Sequence, residues 1–274
     1  MKIDIQITFN THPGKHVIGT CKVNKPSWED QLLKLLNSIT INWDKKILDY
    51  EIYAYHSKPI SEAFRDKIKG MCNVIYDDPN WPPNHPRDNR ISAFKNQTPG
   101  DFSLILDTDI IVMKTPKFEF DKEFYAKGGK GGGIDENIWK ELYAMTGMTY
   151  RPQSRRNDPD FYSHAVNNGV LLISNKVKAS VYNQLNKWVG PVYERLAKGS
   201  GRKWKKIRTE RAHYRGQILV GLIMKKYKWG WLNPHINVHS GYVTPEQLEE
   251  VEILHYLGKG WNKSACSRKV IEGY

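Results

Sequence analysis

The chain has 274 residues, with 39% hydrophobic and 12% aromatic residues and nine tryptophans, enough apolar material for a sizeable folded core and too much for a disordered chain. A formal net charge of +13 points to anionic partners, whether nucleic acid, a membrane surface or phosphorylated substrates. Three cysteines without CxxC spacing (Cys21, Cys72 and Cys266) indicate neither a disulfide framework nor a cysteine-zinc site, and a reducing, cytoplasmic setting is expected.

In chain order, "KIDIQITFN" (2–10) alternates as a strand does, and it lacks the apolar stretch of a secretion signal. "SWEDQLLKLLNSI" (27–39) reads as a helix capped by Ser27 with Asp30 three residues on. Strands are expected over 47–57 and 73–78, with a helix between them ending at Gly70. The proline-dense loop 79–86 leads into a helix over 87–97. This alternation predicts an α/β fold with a mostly parallel central sheet flanked by helices, in which ligands bind beyond the carboxyl ends of the strands. No apolar run reaches the roughly 20 residues of a membrane helix.

"FSLILDTDIIVM" (102–113) reads as one strand buried on both faces, interrupted by two aspartates. Ionised carboxylates there are costly unless something pairs with them. On an extended chain Asp107 and Asp109 would point to the same side and form half of a site for Mn or Mg. Further on, the sequence predicts a glycine-rich loop (127–133), a helix (134–145), a buried strand "NNGVLLIS" (167–174) and a helix within 178–197. An apolar helix (214–227) and a short last strand (252–258) follow. "KGGKGGG" lacks the GK[ST] of a phosphate-binding P-loop. Asp158 and Asp160, in "NDPDFYSH", are candidate general bases, and His255 is a candidate third metal ligand. The stretch 198–215 is dense in Lys and Arg and could meet a phosphorylated acceptor or an anionic membrane surface; a single tryptophan within it makes nucleic acid the weaker reading.

An apolar strand carrying DxD, then Asn167–Asn168–Gly169–Val170–Leu171–Leu172–Ile173–Ser174, then His255–Tyr256–Leu257–Gly258–Lys259–Gly260–Trp261, resembles the landmarks of GT-A glycosyltransferases. Their order is most similar to that of glycosyltransferase family 8, the galactosyltransferase and glycogenin-like family. The resemblance implies a single Rossmann-like GT-A domain, with residues 1–113 binding the nucleotide and 114–274 shaping the donor-sugar and acceptor sites. It implies a sugar transferred from a nucleotide-diphosphate sugar, a UDP-sugar foremost, to a hydroxyl of a glycan, lipid or protein. Asp107, Asp109 and His255 would hold Mn or Mg, and Thr8, Phe9, Asn10, Arg90, Asn168, Gly258 and Lys259 would contact the donor. The family carries Asp-Gln-Asp at the start of the late helix, where this chain has Arg215–Gly216–Gln217. Gln217 would lie near the sugar if the reaction retains configuration, and Asp160 would serve as base if it inverts. The competing reading is a nucleotidyltransferase or nuclease that uses the same two aspartates beside a basic surface.

Overall fold

The computed structural model describes residues 1–9, 27–57, 59–77, 91–129, 134–154, 162–197, 215–240, 243–256 and 273. The chain divides into two compact units, residues 1–118 with 233–274, and residues 119–232.

The first unit is built on a parallel sheet in the order β3-β2-β1-β4, comprising β1 (Lys2–Phe9), β2 (Asp49–His56), β3 (Asn73–Tyr76) and β4 (Phe102–Leu106). In β1 the alternate residues Ile3, Ile5, Ile7 and Phe9 are buried, and so are Asp4 and Gln6 on the opposite face. A strand covered on both faces must satisfy its polar groups internally. Asp4 accepts the Gly100 N–H, and the Gln6 amide donates to Ser103 Oγ at 2.8 Å.

Helix α1 (Trp28–Asn42) buries Leu32, Leu35, Leu36 and Ile39 at helical spacing. Its start is the expected capping box: Asp30 N donates to Ser27 Oγ at 3.0 Å and Ser27 N to Asp30 Oδ2 at 3.2 Å. Helix α2 (Glu62–Ile68) precedes Gly70, whose φ of +81° only glycine adopts readily. The described part of α3 is Ile91–Lys95.

The apolar run 102–113 is not one strand. β4 ends at Leu106, residues 107–109 form a turn, and β5 (Ile110–Val112) joins a separate sheet in the order β5-β10-β9, with β9 (Val238–His239) and β10 (Ile253–His255). The two aspartates therefore meet through a turn rather than through strand alternation. Continuous burial on both sides of the turn gave the run the sequence pattern of a single strand. The short helix α7 (Pro245–Leu248) completes the described elements of this unit, and its Leu248 packs with Val238 and Val243 against Ile111, Val251, Leu254 and Tyr256.

The second unit contains β6 (Phe124–Gly128) between β7 (Val166–Ser174) and β8 (Trp229–Trp231), antiparallel to the first and parallel to the second. A bulge between Ala126 and Lys127 interrupts the β6–β7 ladder. Helices α4 (Glu136–Met145), α5 (Asn175–Ala197) and α6 (215–224) belong to the same unit. Its interior is unusually polar and aromatic. His164 lies between Trp139 and Tyr150 at ring separations of 4.6 and 5.3 Å. The Tyr143 hydroxyl links His164 Nδ1, at 3.1 Å, to the Tyr162 hydroxyl, at 2.6 Å. Burial, with the nearby Lys225 charge, pushes the His164 ring down to about 4. Among the described residues no helix is long and apolar enough to cross a membrane.

Candidate functional site

The turn after β4 is held from two directions. Thr108 is buried and donates its hydroxyl to Gln31 Oε1 on α1 at 3.1 Å. Farther along α1, Ser38 Oγ accepts the Val112 N–H at 3.0 Å and Asn42 Nδ2 donates to the Val112 carbonyl at 2.7 Å. From the other side β10 pairs antiparallel with β5, so that His255 stands opposite Ile110, and the Tyr256 N–H donates to the Asp109 carbonyl at 3.0 Å.

This register brings His255 Nε2 to 3.2 Å from Asp109 Oδ1. One ligand atom each from Asp107, Asp109 and His255 lies within 4.8 Å of the other two. Two carboxylates and an imidazole form a donor set suited to Mn or Mg. The sequence-predicted trio is thus assembled within one unit, at the carboxyl end of a parallel strand, where open α/β sheets bind ligands.

Two contributors carried no sequence signal. Asn237, 1% exposed, places Oδ1 3.1 Å from His255 Nδ1. It also holds φ at +57°, a left-handed conformation that asparagine tolerates better than most residues. The ring of His239 stacks on His255 at 4.6 Å. When His255 Nδ1–H donates to Asn237, the lone pair that remains is on Nε2, facing the carboxylates. Tyr256, buried beside Asp109, has its phenol pushed well above the usual range, first by burial and then by the charges of Asp109 and Asp30.

The other expected residues fall in several places. Thr8 is half-buried and next to last in β1; since Ile7 pairs with Leu106, Thr8 comes level with Asp107, the first residue after β4. The Phe9 ring is buried against Phe64 and His56, so what this residue offers a ligand is its backbone. In the second unit Asn168 is buried on β7 and Gln217 is half-buried in the first turn described for α6. Around Gly216 the structure gathers Asn168 and Tyr193: a Cβ added at Gly216 would meet Asn168 Nδ2 at 3.3 Å and Tyr193 Oη at 3.9 Å. Asn10, Arg90, Asp158, Asp160, Gly258, Lys259 and the basic stretch 198–214 lie outside the described residues.

No family model and no curated protein sequence matches this chain. Solved structures do. A galactosyltransferase LgtC, in complex with donor and acceptor sugar analogs, is 17% identical with a TM-score of 0.58, over 98% of this chain and 95% of that one. The glycosyltransferase GlyE of Streptococcus pneumoniae TIGR4 is 15% identical with a TM-score of 0.56, over 99% of this chain and 59% of that one. The bifunctional glycosyltransferase WbbM is 13% identical with a TM-score of 0.57, over 94% of this chain and 46% of that one. The fold is the GT-A fold of these glycosyltransferases, as the order of landmarks implied.

Proposed function

We propose that this protein is a metal-dependent glycosyltransferase that moves a sugar from a nucleotide-diphosphate sugar, UDP-sugars first, to a hydroxyl of a glycan, lipid or protein acceptor. The observation that carries the reading is the convergence of Asp107, Asp109 and His255 at the carboxyl end of β4, in a chain with the fold of glycosyltransferases. Asp107, Asp109 and His255 Nε2 would hold Mn or Mg. The cation would supply neutralisation of the charge that builds on the leaving nucleotide diphosphate.

The chain's own residues have separable tasks. Asn237 orients His255, and the Thr108–Gln31 hydrogen bond fixes the turn that presents both aspartates. The backbone at Thr8 and Phe9, at the end of β1, is the proposed seat of the nucleoside, with Asn10 and Arg90 beside it. Gly258 and Lys259 are assigned to the diphosphate. In the second unit Asn168 and Gln217 are assigned to sugar recognition. One neighbouring structure, an active-site variant of LgtC that replaces a glutamine by glutamate, shows that a glutamine belongs to that enzyme's active site. Asp160 remains the proposed base for an inverting reaction. The basic stretch 198–215 is assigned to an anionic acceptor or membrane surface.

The test is a panel of nucleotide sugars incubated with the protein in Mn and in EDTA, following release of the nucleotide diphosphate. Release that needs Mn and disappears in both Asp107→Asn and Asp109→Asn supports the reading. Phosphodiester cleavage without any sugar release would assign the site to a nuclease instead.

A further inference from the structure

We infer that Arg215, Asn168 and Tyr193, gathered around Gly216, form a recognition site for a sugar that carries an anionic group, a carboxylate or a phosphate. The identification of the ligand as a sugar rests on the function proposed above; the anion requirement rests on the geometry.

Arg215 Nε is buried and has no hydrogen-bond acceptor, and no carboxylate pairs with the guanidinium among the described residues. What the guanidinium has is the ring of Tyr193, whose centroid lies 5.5 Å from Cζ. A ring face attracts the cation but gives the buried Nε–H no acceptor. Asn168, 4% exposed, has the opposite need: its buried Oδ1 accepts from nothing among the described residues. Buried polar groups left this way are uncommon, and a charged donor is the costliest to leave unmet.

Gly216 brings the two residues to one place. It is the next residue after Arg215, and the Asn168 amide, through Nδ2, and the Tyr193 hydroxyl both border the space its missing side chain would occupy. A planar guanidinium matches carboxylate or phosphate oxygens, and the unmet Asn168 oxygen matches a sugar hydroxyl. A neutral sugar would answer only Asn168, and a bare anion only Arg215. A sugar acid or a phosphosugar answers both. The net charge of +13 suits an anionic substrate of either kind.

The anion could sit on the donor or on the acceptor, and two calorimetric arms separate these. The donor arm compares UDP-glucuronate with UDP-glucose in Mn. The acceptor arm compares glucose 6-phosphate with glucose in the presence of UDP and Mn. In one arm the anionic member should bind at least about tenfold more tightly, the scale of a charge-assisted hydrogen bond. Arg215→Gln should erase that preference while leaving UDP affinity and melting temperature unchanged. Arg215→Lys, which keeps the charge and loses the planar guanidinium, should retain part of it, and it decides the matter if the glutamine variant does not fold. Equal binding of both members in both arms, or a preference that survives in Arg215→Gln, overturns the inference while the transferase reading stands. If UDP does not bind at all, the transferase reading fails. Free glucuronate and glucose 6-phosphate titrated by ligand-observed NMR then decide the anion site: Arg215-dependent binding keeps it and absence of binding removes it.

Discussion

Replacing Lys225 by methionine should stabilise the protein, and should do so in a pH-dependent way. Lys225 follows α6, and its Nζ is buried without a hydrogen-bond partner among the described residues. The rings of Trp229, Tyr162 and Trp231 surround it at 4.7, 5.0 and 5.3 Å. Burial pulls its ammonium from 10.5 down to about 7. A lysine that is harder to protonate folded than unfolded costs stability wherever the unfolded chain carries the extra proton. The cost is full below about pH 7, falls as pH rises between about 7 and 10.5, and vanishes above that. At about 1.36 kcal/mol per pKa unit the penalty approaches roughly 4 kcal/mol at pH 7 and roughly 2 kcal/mol at pH 9. Attraction between the ammonium and three rings returns on the order of 1–2 kcal/mol of the first figure. Methionine keeps the apolar stem, contacts the same rings favourably and carries no charge. Urea unfolding followed by tryptophan fluorescence should therefore show Lys225→Met more stable than wild type by about 2–3 kcal/mol at pH 7, with the gap narrowing towards pH 9. A gap that stays constant between pH 7 and 9 would mean that the ammonium remains charged, and the reasoning about its burial would be wrong.

Other outcomes follow from single contacts. Asn237→Gly keeps the left-handed backbone and removes the amide, so Mn affinity should weaken about 10–100-fold without loss of melting temperature; calorimetry with unchanged Mn affinity would show that Asn237 does not orient His255. Ser27→Ala removes one side of the capping box and should cost about 1 kcal/mol in urea unfolding, whereas no change would mean that α1 does not depend on its cap. Gly221→Ala would place a Cβ 2.3 Å from the His164 carbonyl oxygen, against backbone that cannot rotate away. It should lower stability by about 1–3 kcal/mol or more, and an unaltered unfolding midpoint would contradict the packing described.

The sequence revealed most where one residue property decides the structure. The Ser27–Asp30 pair marked the start of α1, and the apolar positions of α1 and β7 sit in the core as their spacing required. Asp107, Asp109 and His255 stood out because charged or titratable groups beside buried strands need a purpose. The break between β4 and β5 was not legible, because both strands are fully buried and the turn between them contains neither glycine nor proline. Strands β6, β8 and β9 also escaped notice. They have five, three and two residues, too short for a period to register. Asn237 and Lys225 acquire their roles from partners elsewhere in the fold, His255 in one case and a ring of aromatic residues in the other. No local pattern announces such partners.

The central claim is that Asp107, Asp109 and His255 bind a divalent cation that in turn holds a nucleotide diphosphate. Calorimetric titration of UDP into the protein, with Mn and with EDTA, for wild type, Asp107→Asn and Asp109→Asn, tests it most directly. The account predicts binding to wild type in Mn only, and its loss in both variants with melting temperatures preserved. UDP affinity that is the same in Mn and EDTA, or unchanged in both variants, would contradict it.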